Sequence, residues 1–211
     1  REMREMKIYD SLTRKKEELV PIKKDHIGMY VCGPTVYDEP HIGHARSSYI
    51  FDVVRRYLEY KGYKLTFVRN VTDVDDKIIN KARESGSWIV DRGSGKEKDL
   101  VEATKEVAKK YLDAYHEDME SLGIRKPDRE PKATEYIPKM IDFIKLLISR
   151  GAAYEADNDV YFDIKAAKDY GKLSNQNLDK MEIGARISPG DKKRDPLDFA
   201  LWKKAKEDEP S

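Results

Sequence analysis

Residues 30–44 read YVCGPTVYDEPHIGH and determine how the rest of the chain is interpreted. The segment opens within a short apolar run, 29–32, that has glycine on either side, a pattern that favours a strand. Two histidines, His41 and His44, follow at the start of a helical pattern. Because the sole cysteine, Cys32, ends the strand, the sequence predicts a thiol and two imidazoles at the carboxyl end of one strand. Open α/β sheets bind their ligands at that end.

A helix and a second strand are predicted directly after this segment. Gly62 suits the left-handed cap of the helix. Residues 64–71 read KLTFVRNV and are rich in strand-forming residues. For such a strand–helix–strand unit, parallel pairing with a right-handed crossover is expected. The helix is predicted from apolar residues that recur at three- and four-residue steps, namely Tyr49, Ile50, Val53, Val54, Tyr57 and Leu58.

The remaining elements are predicted from the same kinds of pattern. A helix over about 72–84 follows the second strand, with Thr72 and Asp75 forming a variant capping box. The others are a Gly/Ser-rich loop at 85–95, helices at 99–122 and 137–148, a hairpin with arms at 153–156 and 160–164 around a turn at 157–159, and an apolar segment at 196–202.

Composition excludes some classes of function and leaves others open. Of 211 residues, 39% are hydrophobic, enough for a core, and 41 basic residues nearly balance 40 acidic ones. No global electrostatic field therefore attracts the chain to nucleic acid or to a membrane, although a local basic patch is compatible with this balance. One cysteine forms no internal disulfide, which favours a cytoplasmic protein. No stretch approaches the roughly 20 apolar residues that span a bilayer, so no membrane partner is expected.

The histidine pair suits a phosphate-binding site. A helix N-terminus offers free N–H groups and a partial positive charge, and imidazoles add further donors for a triphosphate. Gly43 lies between the two histidines and would let a flat ring or a backbone come close. A metal-binding pair and two surface histidines both remain open from these residues alone.

Other polar residues also leave alternatives open. Cys32 by itself is compatible with a buried structural role, and a zinc site needs about four ligands, so one based on Cys32 is incomplete within this chain. Asp73, Asp75 and Asp76 could hold magnesium, but carboxylates are also favoured at a helix start, which is the preferred interpretation. Residues 192–194 read KKR and are interpreted as solvated surface, with a contact to RNA phosphate left open.

Two longer segments, MYVCGPTVYDEPHIGHARS at 29–47 and FVRNVTDVDDKII at 67–79, give a more specific indication. Both closely resemble the start of the cysteinyl-tRNA synthetases, and HIGH at 41–44 matches the class I synthetase signature. The resemblance continues in KIYDSLTRKKEELVPI, GARI and DPLDFALWK. Essentially the whole chain is similar to the N-terminal half of that family.

The resemblance implies an α/β fold in two parts. Residues 1–125 correspond to the first half of a class I Rossmann-like nucleotide-binding domain with parallel strands. Residues 126–211 correspond to a truncated, mixed α/β connective-peptide insertion. The second half of the nucleotide fold, the KMSKS loop and the anticodon-binding domain are expected beyond the chain end.

The resemblance also implies an activity. The family forms cysteinyl-adenylate from cysteine and ATP with Mg²⁺, and then transfers cysteine to tRNA(Cys). His41 and His44 match the catalytic histidines that stabilise the ATP phosphates, and Gly43 lies with them at the ATP site. The intact enzyme is expected to be monomeric and cytoplasmic, and this chain alone is expected to be inactive.

For the cysteine substrate, the resemblance assigns three residues. Gly33 and Thr72 match positions that line the pocket for the cysteine backbone. Cys32 matches one of four ligands of a Zn²⁺ ion that binds the substrate thiolate, and the other three are expected beyond the chain end. Two alternatives remain: the cysteine ligase of mycothiol synthesis, and a non-catalytic nucleotide- or RNA-binding paralogue.

Overall fold

The computed structural model describes residues 6–85, 100–176 and 192–205. Contacts divide them into two units, one formed by Val20–Ile137 and the other by the described parts of Arg4–Leu19 and Pro138–Lys206. In chain order, the elements are β1 (Lys7–Asp10), β2 (Lys15–Glu18), β3 (His26–Val31), α1 (Ile42–Tyr60), β4 (Lys64–Arg69), α2 (Asp76–Glu84), α3 (Leu100–Ser121), α4 (Ile137–Ser149), β5 (Ala153–Ala156), β6 (Asp159–Phe162) and β7 (Phe199–Trp202).

The first unit is built on the strand–helix–strand element β3–α1–β4. The strands β3 and β4 pair in parallel, with His26 opposite Lys64 and Val31 opposite Arg69. The parallel pairing predicted from the sequence is therefore confirmed. The segment after Asp128 runs alongside the other edge of β4, where Val68 forms a parallel bridge with Arg129.

The helix α1 occurs where the apolar spacing predicted it, but its buried face is largely polar. Tyr49, Val53 and Tyr57 of the apolar stripe are about half exposed. The buried side includes Ser48, whose hydroxyl lies 2.9 Å from that of Tyr115. The apolar periodicity predicted the position of the helix but not the face that packs against the rest of the unit. That face can be polar because hydrogen bonds and ion pairs satisfy its polar groups.

A buried arginine joins β4 to the helices. Arg69 is 5% exposed, and its Nη1 donates to the hydroxyls of Ser48 at 2.7 Å and Tyr115 at 2.9 Å. On the same side, Arg55 of α1 donates to the carboxylate of Asp128 at 2.8 Å. The Arg69 contacts join β4 to α1 and α3, and the Arg55 contact joins α1 to the segment that runs beside β4.

The start of α2 differs from the sequence prediction. Asp75, and not Thr72, is the N-cap, and its carboxylate accepts a hydrogen bond from the amide of Lys77 at 2.9 Å. Thr72 instead forms a parallel bridge with Thr35. The capping box was wrong because the backbone of Thr72 is already paired with the loop that follows β3.

The long helix α3 packs into the core of the first unit through the apolar stripe that the sequence predicted. Its five central apolar positions, Ala103, Val107, Tyr111, Tyr115 and Met119, are all buried, and they join one core cluster with residues of α2 such as Ile78. Gly123 follows the helix at φ +69°, as its capping position requires. The predicted helix is therefore confirmed, except that Leu122 at its end is exposed.

The second unit contains antiparallel strands. The predicted hairpin is confirmed as β5 paired with β6, and β7 adds to the outer edge of β6. Its turn is shorter than predicted, because Asp157 and Asn158 both have positive φ, the geometry of a two-residue hairpin turn. The β1–β2 hairpin was not anticipated, since its residues are mostly charged or polar.

A buried aspartate holds the second unit together. Asp198 is 2% exposed and accepts hydrogen bonds from the Tyr154 hydroxyl at 2.6 Å and from the amides of Ile164 and Asp195, both at 3.1 Å. Burial, followed by the hydrogen bond to Asp198, raises the pKa of Tyr154 to about 12, so that the phenol remains a donor. Asp198 thus links β5 to the segment that precedes β7.

The remaining sequence expectations concern the domain boundary, the loop at 85–95 and membrane-spanning helices. The division into units falls at Ile137, later than the expected boundary at 125/126, and that boundary stays a prediction about family domains. The Gly/Ser-rich loop at 85–95 lies almost wholly outside the described residues. None of the helices described here combines the length and apolarity needed to cross a membrane.

Candidate active site at the ends of β3 and β4

Three of the candidate residues, Cys32, Gly33 and Thr72, lie in the loops that follow β3 and β4. The loops that follow the two strands continue side by side, because the amide of Thr72 donates to Pro34 O at 3.0 Å and the amide of Val36 donates to Thr72 O at 3.3 Å. Cys32 and Gly33 lie at the start of one loop and Thr72 lies on the other. Gly33 and Thr72 therefore lie on neighbouring loops, and their predicted contact with the cysteine backbone stays a prediction.

Asn70 joins these two loops and was missed in the sequence. Its Oδ1 accepts hydrogen bonds from the Gly33 amide at 2.9 Å and the Tyr30 hydroxyl at 2.8 Å. Its Nδ2 donates to Thr72 Oγ1 at 3.4 Å. An amide side chain directly after a strand and two residues before a candidate site residue was the available signal.

Gly33 is required by the close approach of Asn70. A Cβ built on Gly33 would lie 1.6 Å from the backbone oxygen of Asn70. No side chain fits in that space, so the two loops approach each other only because residue 33 is glycine. This steric role accounts for the glycine independently of any contact with a substrate.

The Cys32 side chain is exposed, which excludes the buried structural alternative. Its Sγ lies 3.7 Å from Gly33 O. Within the described ranges, no group of three or more His, Cys, Asp or Glu residues is placed to hold a metal ion. One thiol does not meet the four-ligand requirement of zinc, so the described residues do not form a zinc site by themselves.

The two histidines form the N-terminal cap of α1. His41 is the N-cap residue, and its Nδ1 accepts a hydrogen bond from the Gly43 amide at 3.1 Å. The Nδ1 of His44 accepts from the His41 amide at 3.2 Å. The imidazole rings stack with their centroids 4.0 Å apart and their planes inclined at 28°. Both histidines therefore lie at the helix N-terminus, as the sequence predicted.

Gly43 allows this cap to form. A Cβ at this position would lie 2.8 Å from Cε1 and 2.9 Å from Nδ1 of His41. The sequence suggested that Gly43 lets a flat ring come close, and in the structure that ring is the imidazole of His41. Whether ATP also approaches Gly43 stays a prediction.

Burial, and secondarily the neighbouring His41, lowers the pKa of His44 below its usual value. This shift favours the uncharged form of the His44 imidazole. A neutral imidazole carries one N–H donor and one acceptor nitrogen, and here the acceptor is used by the helix cap.

The three aspartates at 73–76 serve structural purposes. Asp75 caps α2, and Asp76 lies in its first turn. Asp73 accepts hydrogen bonds from the Thr134 hydroxyl at 2.6 Å and the Thr134 amide at 3.0 Å. The helix contacts of Asp75 and Asp76 favour the interpretation as a helix start and disfavour a magnesium site.

In the basic segment 192–194, Arg194 packs over the Tyr154 ring, with its guanidinium carbon 4.1 Å from the ring centroid.

Residues 18–211 match the family model described as the class I (C) tRNA synthetase catalytic domain. The chain belongs to this family. Cysteine–tRNA ligases of Finegoldia magna and Thermococcus kodakarensis are 51% and 50% identical to it over 204 and 205 residues, which is 96% and 97% of the chain. The chain spans 41% and 40% of the length of these two relatives.

The family membership confirms the predicted fold class. This synthetase domain has a parallel strand pair with α-helices, as expected for a class I Rossmann-like fold. This chain is also similar to a solved structure from Campylobacter jejuni that is provisionally named as an arginyl-tRNA synthetase. The two superpose with a TM-score of 0.53, over 70% of this chain and 39% of the other chain. At 16% identity, that likeness bears on the fold alone.

Proposed function

We propose that this chain is the N-terminal part of an ATP-dependent ligase that activates cysteine as cysteinyl-adenylate and transfers it to tRNA(Cys). The observation that carries the proposal is that the connection from β3 to α1 begins with an exposed thiol and ends in a histidine-capped helix start. The names of the cysteine–tRNA ligases that the chain resembles at about 50% identity supply the substrate. We further propose that the intact enzyme is monomeric and cytoplasmic.

The ATP phosphates would bind at the N-terminus of α1. The N–H groups at a helix N-terminus attract anions, and there His41 is the N-cap while His44 lies in the first turn. Groups that donate to the phosphate oxygens stabilise the charge that develops as the carboxylate of cysteine attacks the α-phosphate. Mg²⁺ would arrive with the ATP as part of the substrate.

The cysteine substrate would bind beside Gly33, Thr72 and Cys32. We assign Cys32 as one ligand of a zinc ion that is completed by other parts of the full-length protein, because the described residues do not complete it. When bound, zinc supplies a preference for a thiolate over a neutral hydroxyl. That preference would separate cysteine from serine, which shape alone separates poorly.

The full-length protein is expected to catalyse ATP–pyrophosphate exchange that depends on cysteine. The assay compares cysteine with serine and then offers two acceptors, tRNA(Cys) and an amino sugar. Exchange with cysteine and transfer to tRNA would support the proposal. Exchange with another amino acid alone, or transfer only to the amino sugar, would refute it, and absence of exchange would favour a non-catalytic paralogue.

Replacing Cys32 with alanine is expected to remove bound zinc from the full-length protein, because the substitution deletes one of about four ligands. Zinc content per protein molecule is the measurement. A His26→Gln variant serves as the control, because His26 lies at the opposite end of β3 and contacts Thr66 at 2.9 Å. Stoichiometric zinc in Cys32→Ala would exclude Cys32 from the site.

A further inference from the structure

Both histidines of the α1 cap use the same ring nitrogen in the same way. The Nδ1 atoms of His41 and His44 each accept a hydrogen bond from a backbone amide. A backbone N–H donates only, so the nitrogen that receives it cannot carry a proton. An uncharged imidazole bonded in this way must carry its proton on Nε2.

We propose that the backbone of α1 locks His41 and His44 into the neutral Nε2–H tautomer, so that the pair presents two uncharged N–H donors to an oxyanion. The oxyanion class rests on the function proposed above, in which phosphate oxygens are the acceptors. The tautomer assignment rests on the cap geometry alone. The histidines thus act as oriented hydrogen-bond donors and not as cations.

The geometry favours this state over protonation of either ring. A protonated imidazole carries a proton on both nitrogens, so it would place an N–H against the backbone N–H it now accepts from. The two rings also stack at 4.0 Å, which would set two like charges face to face. Neither Nε2 has a hydrogen-bond partner in the described part of the chain, which leaves both N–H groups available to a ligand.

Gly43 acts as the positioning residue for this arrangement. The imidazole of His41 occupies the space where a Cβ of residue 43 would lie, at 2.8–2.9 Å from its ring atoms. An alanine there would displace the ring, and with it the Nδ1 contact that fixes the tautomer. The helix itself would tolerate alanine, since alanine has the higher helix propensity.

The tautomers can be read directly from nuclear magnetic resonance of the full-length protein with isotope-labelled histidine rings, at neutral pH and without ligand. The signals are assigned by their disappearance in His41→Asn and His44→Asn. We expect protonated Nε2 and unprotonated Nδ1 for both residues. A proton on Nδ1, or a ring protonated on both nitrogens, would overturn the proposal.

A Gly43→Ala variant tests the positioning role of Gly43 by the same measurement. We expect the His41 signal to change to a mixture of tautomers, while Gly28→Ala leaves it unchanged because no atom lies within 4 Å of a Cβ at position 28. A fixed Nε2–H tautomer in Gly43→Ala would overturn the positioning role. Because these spectra are recorded without ATP, failure of ATP binding would contradict the proposed function and leave the tautomer result intact.

Discussion

Gly33→Ala is expected to slow cysteine activation strongly in the full-length protein. The new Cβ would overlap the backbone oxygen of Asn70 at 1.6 Å, so one of the two site loops must move by an ångström or more. A displacement of about 1 Å at a reacting centre costs on the order of 100-fold in rate. We therefore expect ATP–pyrophosphate exchange to fall by about 100-fold or more.

The matched control for this substitution is Gly28→Ala in the same strand region. A Cβ at residue 28 meets no atom within 4 Å, so exchange activity is expected to stay close to that of the unsubstituted protein. Circular dichroism of both variants separates a local displacement from loss of the fold. Full activity in Gly33→Ala would show that the close approach of the two loops does not matter for catalysis.

Asp198→Ala is expected to give the largest loss of stability in the second unit. The substitution leaves three donors without their acceptor: the Tyr154 hydroxyl and the amides of Ile164 and Asp195. A buried donor left unsatisfied costs about 1–3 kcal/mol. We expect the free energy of local opening, measured by hydrogen exchange at β5 and β6 amides, to fall by about 3 kcal/mol or more.

Two further variants test the cause of that loss. Asp198→Asn keeps one acceptor oxygen and is expected to lose less stability than alanine. Asp169→Ala removes an exposed carboxylate of the same unit and is expected to change the opening free energy by no more than about 0.5 kcal/mol. Equal protection in Asp198→Ala and Asp169→Ala would contradict the role given to Asp198.

Patterns that depend on local periodicity were readable from the sequence. The parallel β3–β4 pair, α3 and the β5–β6 hairpin all follow from apolar spacing and turn residues. The position of His41 and His44 at a helix start also followed, because the helical pattern of apolar residues begins shortly after them. In each case, the deciding residues lie within a few positions of one another.

Features that depend on distant partners were not readable. Asn70 contacts Gly33, which is 37 residues away, and no local pattern announces that pairing. Thr72 looks like a helix cap in sequence, yet its backbone pairs with Pro34 and Val36. The polar buried face of α1 likewise depends on Arg69, Tyr115 and Asp128, which come from other elements.

The central claim is that the ends of β3 and β4 and the start of α1 form one site that binds both parts of a cysteinyl-adenylate. A crystal structure of the full-length protein with a non-hydrolysable analogue of that adenylate tests it most directly. We expect an oxygen of the phosphate-like group within hydrogen-bond distance of Nε2 of His41 or His44, and the analogue's sulfur beside Cys32. An analogue bound away from these residues, or turned so that its sulfur faces the histidines, would contradict the claim.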